Sequence, residues 1–323
     1  MSPTFGRTSP TFGRTSPPGA LDSVLLIAFG GPTAPAEIRP FLDNVTRGRG
    51  IPRERLEEVA RHYEAMPGGR SPLRALTEAQ AAGLRAALAR ADRPLPVYVG
   101  MRHWHPYLPE TLARMARDGR RRALGLILSA FRCEASWERY MVDVTAARAG
   151  VAAAPEIVYA APWFEHPRFV AAVADRVRTA FAEVPGGERD RTPLVFTAHS
   201  IPRAMAETSL YVADFTAAAA AVARRLGHAR WSLAYQSRSG SPRDPWLEPD
   251  VVETIRDLAK AGERRVVLSP IGFVADHVEV LYDLDTEARA IAAQHGVAYH
   301  RAAAVNDHPE FVQMLAELAR DAA

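Results

Sequence analysis

Ser23-Val24-Leu25-Leu26-Ile27-Ala28-Phe29, stopped by Gly30-Gly31-Pro32, is a short apolar run ended by chain-turning residues. Its pattern returns along the chain, at residues 96–101, 123–128, 157–160, 194–198, 232–236, 266–270 and 297–300. Between these runs lie longer segments with helical spacing of apolar residues, among them 76–91, 167–181, 215–226 and 276–294. Runs too short for helices, alternating with amphipathic segments, predict the strands and covering helices of a doubly wound parallel sheet. The fold class read from the sequence is therefore α/β.

The eight runs form two groups of four. Residues 162–167 close the first group, and the spacer Val184-Pro185-Gly186-Gly187-Glu188-Arg189-Asp190 precedes the second. A length of 323 residues exceeds one ordinary core, since single cores stop growing at about 250–300 residues. The expectation is two Rossmann-like domains, each a four-stranded parallel sheet flanked by helices, with the active-site cleft between them. Residues 21–165 would form the N-terminal domain and 166–323 the C-terminal one. Residues 1–20 hold the heptad SPTFGRT written twice; with one Phe per repeat it cannot offset its own ordering, and a disordered tail is expected.

The chain is 48% hydrophobic and 24% charged with a net charge of +3. No apolar stretch is long enough for a transmembrane helix, and no dense basic run marks a nucleic-acid surface. Cys133 is the only cysteine, which rules out an internal disulfide and an iron-sulfur cluster held by this chain's thiolates. The start of the sequence has no apolar signal core, so cytoplasmic residence is expected. GxGxxG after a strand, GxxxxGK[ST], GxSxG and HExxH are all missing, which argues against nucleotide and serine-hydrolase chemistry.

In open α/β sheets ligands collect at the carboxyl ends of strands. There the sequence places Thr197-Ala198-His199-Ser200-Ile201-Pro202, with a histidine at a strand tip and a proline that stops the strand. It also places Pro270-Ile271-Gly272-Phe273-Val274-Ala275-Asp276-His277-Val278-Glu279, leading into a helix. At about 100° per residue, Asp276, Glu279, Asp283 and Glu287 would share one narrow face. Like charges at that spacing destabilise a helix. The ridge is either a solvated face or a path for a hydrated divalent cation, which carboxylates hold loosely enough to pass on.

FTAHSIP (197–202 with Phe196), the stretch 235–250 with PWLEPD, and PIGFVADHVEVLYDLDTEA (270–288) together resemble the ferrochelatase family in order and spacing. LLIAFGGP (25–32), FLDNVTRGRGIP (41–52), RHYEAMPGGRSPL (61–73) and GMRHWHP (100–106) extend the resemblance over about residues 21–320. FLDNVTRGRGIP and AFGGP are most similar to the Gram-positive type, which the resemblance associates with coproporphyrin III. The implied activity is insertion of Fe²⁺ into a porphyrin in haem biosynthesis, a lyase reaction forming nitrogen–metal bonds. Protoporphyrin IX ferrochelatase, a chelatase for another metal or tetrapyrrole, and a non-catalytic porphyrin carrier stand as alternatives.

The resemblance puts the catalytic pair on His199 and Glu279, and the acidic ridge adds Asp283 and Glu287 as expected metal contacts. Porphyrin contacts are expected from Phe29, Tyr63, Ser71, Arg102, Tyr140 and Trp246. Where some coproporphyrin enzymes carry an axial tyrosine this chain has Phe29, whose ring can only pack on the macrocycle. Rim arginines Arg47, Arg102, Arg132, Arg139 and Arg238 would meet propionates. His199 is read as proton acceptor and first metal contact with Glu279 as partner in iron delivery; the reverse assignment stays open. No tightly bound cofactor is expected, Fe²⁺ being a substrate. The chain is expected to act as a monomer that hands its product to a later haem-pathway enzyme.

Overall fold

A computed structural model of the chain describes residues 19–48, 50–90, 94–239 and 244–322. The duplicated heptad and the expected tail fall almost wholly outside the described residues. Two four-stranded sheets are present, β1 (Ser23–Ala28), β2 (Val97–Met101), β3 (Arg122–Ile127) and β4 (Glu156–Tyr159) in the order β2-β1-β3-β4, and β5 (Leu194–His199), β6 (Trp231–Gln236), β7 (Arg265–Ser269) and β8 (Ala298–Arg301) in the order β6-β5-β7-β8. Every pairing within them is parallel. All eight apolar runs are therefore strands. β1 is buried at every position, as expected for a central parallel strand covered on both faces, while the edge strands β4 and β8 are only partly covered.

The helices are α1 (Ile38–Thr46), α2 (Arg53–Glu64), α3 (Leu73–Leu88), α4 (Leu108–Arg117), α5 (Arg139–Ala149), α6 (Pro167–Ala182), the short α7 (Arg203–Glu207), α8 (Tyr211–Leu226) and α9 (Val251–Lys260). After β7 come α10 (Val278–Val280), a π-helical stretch Leu281–Ala288 and α11 (Arg289–Gln294), and the chain closes with α12 (Pro309–Asp321). The 76–91 segment begins earlier than its apolar spacing suggested, because Pro72 starts the turn that Leu73 continues; its expected last residue, Ala91, lies outside the described residues. The 215–226 segment likewise starts at Tyr211.

One apolar cluster runs from β1 and β3 through α3, α6, α8 and α12 to β5 and β7, so the two sheets share a core. α12 returns across the molecule to pack on α3, and Gly83 makes room for it. A Cβ at Gly83 would lie 3.0 Å from Val312 Cγ2. Gln80 crosses in the same place, its amide donating to the carbonyls of Val274 and Asn306 at 2.9 Å each. In both sheets the chain moves outward on one side of its first strand and then back to the other side. The carboxyl ends of β1/β3 and of β5/β7 are thus switch points, the places where open α/β sheets bind ligands.

Candidate active site

His199 is the last residue of β5, at the second switch point. Three ties fix its turn: Ser200 N–H donates to Gln236 O at 2.7 Å, Tyr211 Oη–H donates to His199 O at 2.9 Å, and Ser200 Oγ–H donates to Leu247 O at 2.9 Å. His199 Nδ1 faces the Ser200 carbonyl. A carbonyl only accepts, so Nδ1 carries a proton and Nε2, which faces Glu279, is the nitrogen that gains and loses the second one.

Glu279 arrives from the other strand of the switch point. After β7 the chain must cross the end of β5, and Gly272 permits it: a Cβ there would lie 2.6 Å from Ala198 Cβ and 2.7 Å from Ala198 Cα. Gly272 N–H donates to Thr197 O at 3.0 Å as it passes. His277 then caps the helix, its Nδ1 accepting from Glu279 N–H at 3.2 Å. The outcome is Glu279 Oε1 at 3.7 Å from His199 Nε2.

Burial pushes the His199 imidazole down, but the Glu279 carboxylate, the Ser200 carbonyl and Asp283 outweigh it and leave its pKa above the ordinary value. For Glu279 burial pushes up, and His199 with a lesser part from His277 holds the carboxyl down to about 2. The pair is therefore an ionised carboxylate facing an imidazole that readily holds a proton. His277 differs: burial dominates and lowers its pKa, despite Glu279 and Asp276. Its place between Phe273, 5.1 Å away ring to ring, and the Glu279 amide makes it a third member of the site, which the sequence reading passed over inside the run 270–279.

The acidic ridge needs one correction. Asp276 precedes the helix and faces away from it, accepting from Arg301 Nη1 at 2.8 Å, Asn306 Nδ2 at 2.8 Å and Ala304 N–H at 3.2 Å. The α-helical spacing used for it does not apply before Val278, nor after Val280, where hydrogen bonds run i to i+5. The wider π turn still keeps residues four apart near one line. Asp283, one turn from Glu279, accepts a hydrogen bond from Ser237 Oγ. Burial raises its carboxyl to about 7, with Glu279 and Glu287 adding repulsion that Ser237 only partly offsets. Glu287 is exposed on the following turn and is raised by burial and by Asp250 and Glu58. Asp285, off this line, takes the fork of Arg301 at 2.7 and 2.8 Å instead. Among the described residues no three His, Cys, Asp or Glu side chains close into a metal cage, so the carboxylates form a row rather than a pocket.

The first switch point supplies the facing wall. Phe29 is 36% exposed, with its ring 4.5 Å from that of His103 and 6.4 Å from that of Phe41. Phe41 packs on Tyr63 at 5.7 Å, and Tyr63 shares an apolar cluster with Val278. Through this chain of contacts Phe29 and Tyr63 join the Glu279 side. Burial and the Glu279 charge both raise the Tyr63 hydroxyl. Ser71 is buried against the Gly30-Gly31 turn: a Cβ on Gly31 would lie 2.9 Å from its Cβ and Oγ, and its Oγ accepts from Leu73 N–H at 3.3 Å. Trp246 is buried beside Pro202, to which its backbone bridges, close to the His199 turn.

Four of the five expected rim arginines are already engaged. The Arg102 side chain is only 4% exposed, donates to Asp143 Oδ2 at 2.6 Å and lies 4.3 Å over the Tyr140 ring. Arg139 pairs with Glu134. Arg132 donates its backbone N–H, Nε and Nη2 to the carboxylate of Asp214 at 3.1, 2.7 and 2.6 Å. This last pair joins the loop after β3 to α8 of the other sheet. Because Asp214 is 2% exposed, Arg132→Ala is expected to destabilise the chain by about 3 kcal/mol in a denaturant titration, the low end for an orphaned buried charge because Arg132 is itself partly exposed. No change in midpoint would show that the link carries no stability. Arg238 Nη2 donates to the Asp244 carbonyl at 3.1 Å, and both it and Arg47 are exposed.

A family model described as ferrochelatase matches residues 22–323. The chain is 45% identical over 311 residues to the coproporphyrin III ferrochelatase of Nocardia farcinica, covering 94% of this chain and 88% of that one. It is 45% identical over 303 residues to the enzyme of the same name from Mycolicibacterium smegmatis, with 93% and 89% covered. Among solved structures, the sirohydrochlorin chelatase SirB of Bacillus subtilis subspecies spizizenii, in complex with cobalt, superposes with a TM-score of 0.56 at 11% identity, covering 93% of this chain and 94% of that one. A multi-domain protein of Deinococcus radiodurans with structural similarity to chelatases gives 0.57 at 17% identity, covering 94% and 56%. These two likenesses speak to the fold alone.

Proposed function

The chain belongs to the ferrochelatase family, and we propose that it inserts Fe²⁺ into coproporphyrin III to give the iron coproporphyrin, with His199 and Glu279 doing the chemistry. The observation that carries this is the pair itself: an imidazole whose Nε2 stands 3.7 Å from a carboxylate that stays ionised. Metallation must remove two pyrrole protons while a dication enters the ring. His199 Nε2 accepts the two pyrrole protons in turn, because its neighbours favour the protonated imidazole, and releases the first to the solvent that reaches the partly exposed ring before the second leaves. Glu279 holds negative charge beside the entering iron, and Asp283 and Glu287 lead to it from the outside of the cleft. Phe29, Tyr63, Arg102 through Tyr140, Ser71 and Trp246 shape the walls that hold the macrocycle flat or bent against the pair.

The substrate assignment draws on the relatives' names and on chemistry. Coproporphyrin carries four propionates and protoporphyrin IX two, so a cleft for the former must offer polar or cationic partners around its rim. Arg47 and Arg238 are exposed in loops that flank it. The cleft divides the chain near residue 165, and the chain acts in this reading as a cytoplasmic monomer that passes its product to a later haem-pathway enzyme. No helix among the described residues is long and apolar enough to cross a membrane. Anaerobic Fe²⁺ insertion with coproporphyrin III and protoporphyrin IX offered in parallel is the test. A preference of about tenfold or more in kcat/KM for coproporphyrin is expected, the scale of one extra charged contact; equal turnover of protoporphyrin IX would refute the substrate assignment.

A further inference from the structure

We propose that Gln236 is a positioning residue that sets the separation of His199 and Glu279. The proposal rests on the reading of that pair as the reactive one. Gln236 ends β6 directly beside His199 in the sheet register. Its carbonyl accepts the Ser200 N–H at 2.7 Å, tying down the turn that carries the imidazole. Its side-chain Nε2 donates to the backbone carbonyl of Glu279 at 2.9 Å, tying down the helical turn that carries the carboxylate. One residue therefore reaches both halves of the pair.

Two features show why the tie matters. At 3.7 Å the His199 Nε2 and Glu279 Oε1 atoms stand beyond hydrogen-bond distance, so they do not fix their own spacing. The backbone ties beneath them do. Gln236 is also 1% exposed, and its Oε1 has no hydrogen-bond partner. An orphaned buried acceptor is unfavourable, yet the amide cannot relieve it by flipping, because its oxygen would then meet the Glu279 carbonyl. The group keeps this orientation for the donor it presents. Ser237 continues the tie: in the left-handed region at φ 63, uncommon for a residue with a Cβ, it turns the chain and donates its hydroxyl to Asp283.

The test uses the full-length chain with Gln236→Met, which keeps the length of the side chain but has no N–H, and Gln236→Leu, which has neither the N–H nor the carbonyl. Both should lower kcat for metallation about tenfold or more, the scale of a misplacement by about 1 Å, with KM for the porphyrin within about twofold. Placed on Glu279→Gln, the Gln236→Met change should cost less than about threefold further, since a residue acting through Glu279 has little left to act on. Fully multiplying losses, or a kcat within about threefold of the parent, would overturn the proposal. A crystal structure of Gln236→Met is a readout independent of turnover: a changed His199–Glu279 separation is expected, and an unchanged one overturns the positioning role. A parent chain that metallates no porphyrin would instead sink the functional reading, and the crystallographic comparison would still decide the role of Gln236.

Discussion

Replacing His199 by alanine is expected to slow iron insertion by about 10² to 10⁴, the contribution of a positioned acid–base group, while porphyrin binding stays within a few fold. The geometry gives the reason. His199 touches the reaction through one atom, Nε2; its other nitrogen and its backbone carbonyl are committed to Ser200 and Tyr211. The ring therefore adds little to the proposed walls of the macrocycle site, Phe29, Tyr63, Tyr140 and Trp246. Loss of the imidazole leaves the Glu279 carboxylate without the neighbour that holds it down to about 2, so burial pushes the carboxyl up and its hold on iron weakens at acid pH. Turnover should be followed under anaerobic conditions and porphyrin affinity by fluorescence quenching. In the parent chain kcat/KM should rise with pH through a pKa above the ordinary histidine value, because the acceptor must be neutral to work, and the alanine variant should lose that limb. Turnover within about tenfold of the parent would remove His199 from the chemistry.

What the sequence made legible follows the range of each interaction. Strands declare themselves locally: a buried parallel strand needs a run of apolar residues and a stop, and all eight runs, Ser23–Ala28 among them, carry both. His199 was legible for the same reason, as the polar residue at the end of such a run. The acidic ridge was legible only in part. Charge spacing was read against an α-helix, whereas the chain opens into a π turn from Leu281 to Ala288 and leaves Asp276 before the helix. Nothing local in Asp276 distinguishes it from Asp283; what separates them is Arg301, 25 residues away on β8, which claims Asp276 and Asp285 together. The partners of the rim arginines were not legible, for a related reason. Arg132 and Arg102 stand where an anion-binding loop would put them, but their partners Asp214 and Asp143 come from elements 82 and 41 residues distant. A long-range ion pair leaves no periodic trace. Gln236 hid in the same way, since its importance lies in a bond to a backbone carbonyl 43 residues on.

Asp283→Asn should move stability and function in opposite directions. The Asp283 carboxyl is raised from 3.8 to about 7, first by burial and then by Glu279 and Glu287. A group with a raised pKa holds its proton more tightly folded than unfolded, so the stability it adds is complete below about pH 4 and lost as pH rises to about 7. Above that the folded chain must carry a poorly solvated carboxylate next to two others. Asparagine presents an oxygen to the Ser237 hydroxyl without the charge. The variant should therefore unfold at a higher temperature than the parent at pH 8, by about 1–3 kcal/mol once solvent screening at the cleft is allowed for, or roughly 2–6 °C. At pH 4, where the parent is also neutral there, the two melting temperatures should nearly coincide. Both should be measured in metal-free buffer. Iron delivery should suffer at the same pH 8: the charge removed is one turn from Glu279, and a loss of about 1 kcal/mol of attraction at that range corresponds to roughly a fivefold higher KM for Fe²⁺, with the porphyrin KM unmoved. Adding Glu287→Gln should raise the iron KM further and the melting temperature by less than Asp283→Asn does, because Glu287 is the more exposed of the two. If both outcomes are found, the row of acids trades stability for function. If Asp283→Asn leaves the iron KM unchanged while still stabilising the chain, the row is only a strained helix face and iron reaches Glu279 by another route.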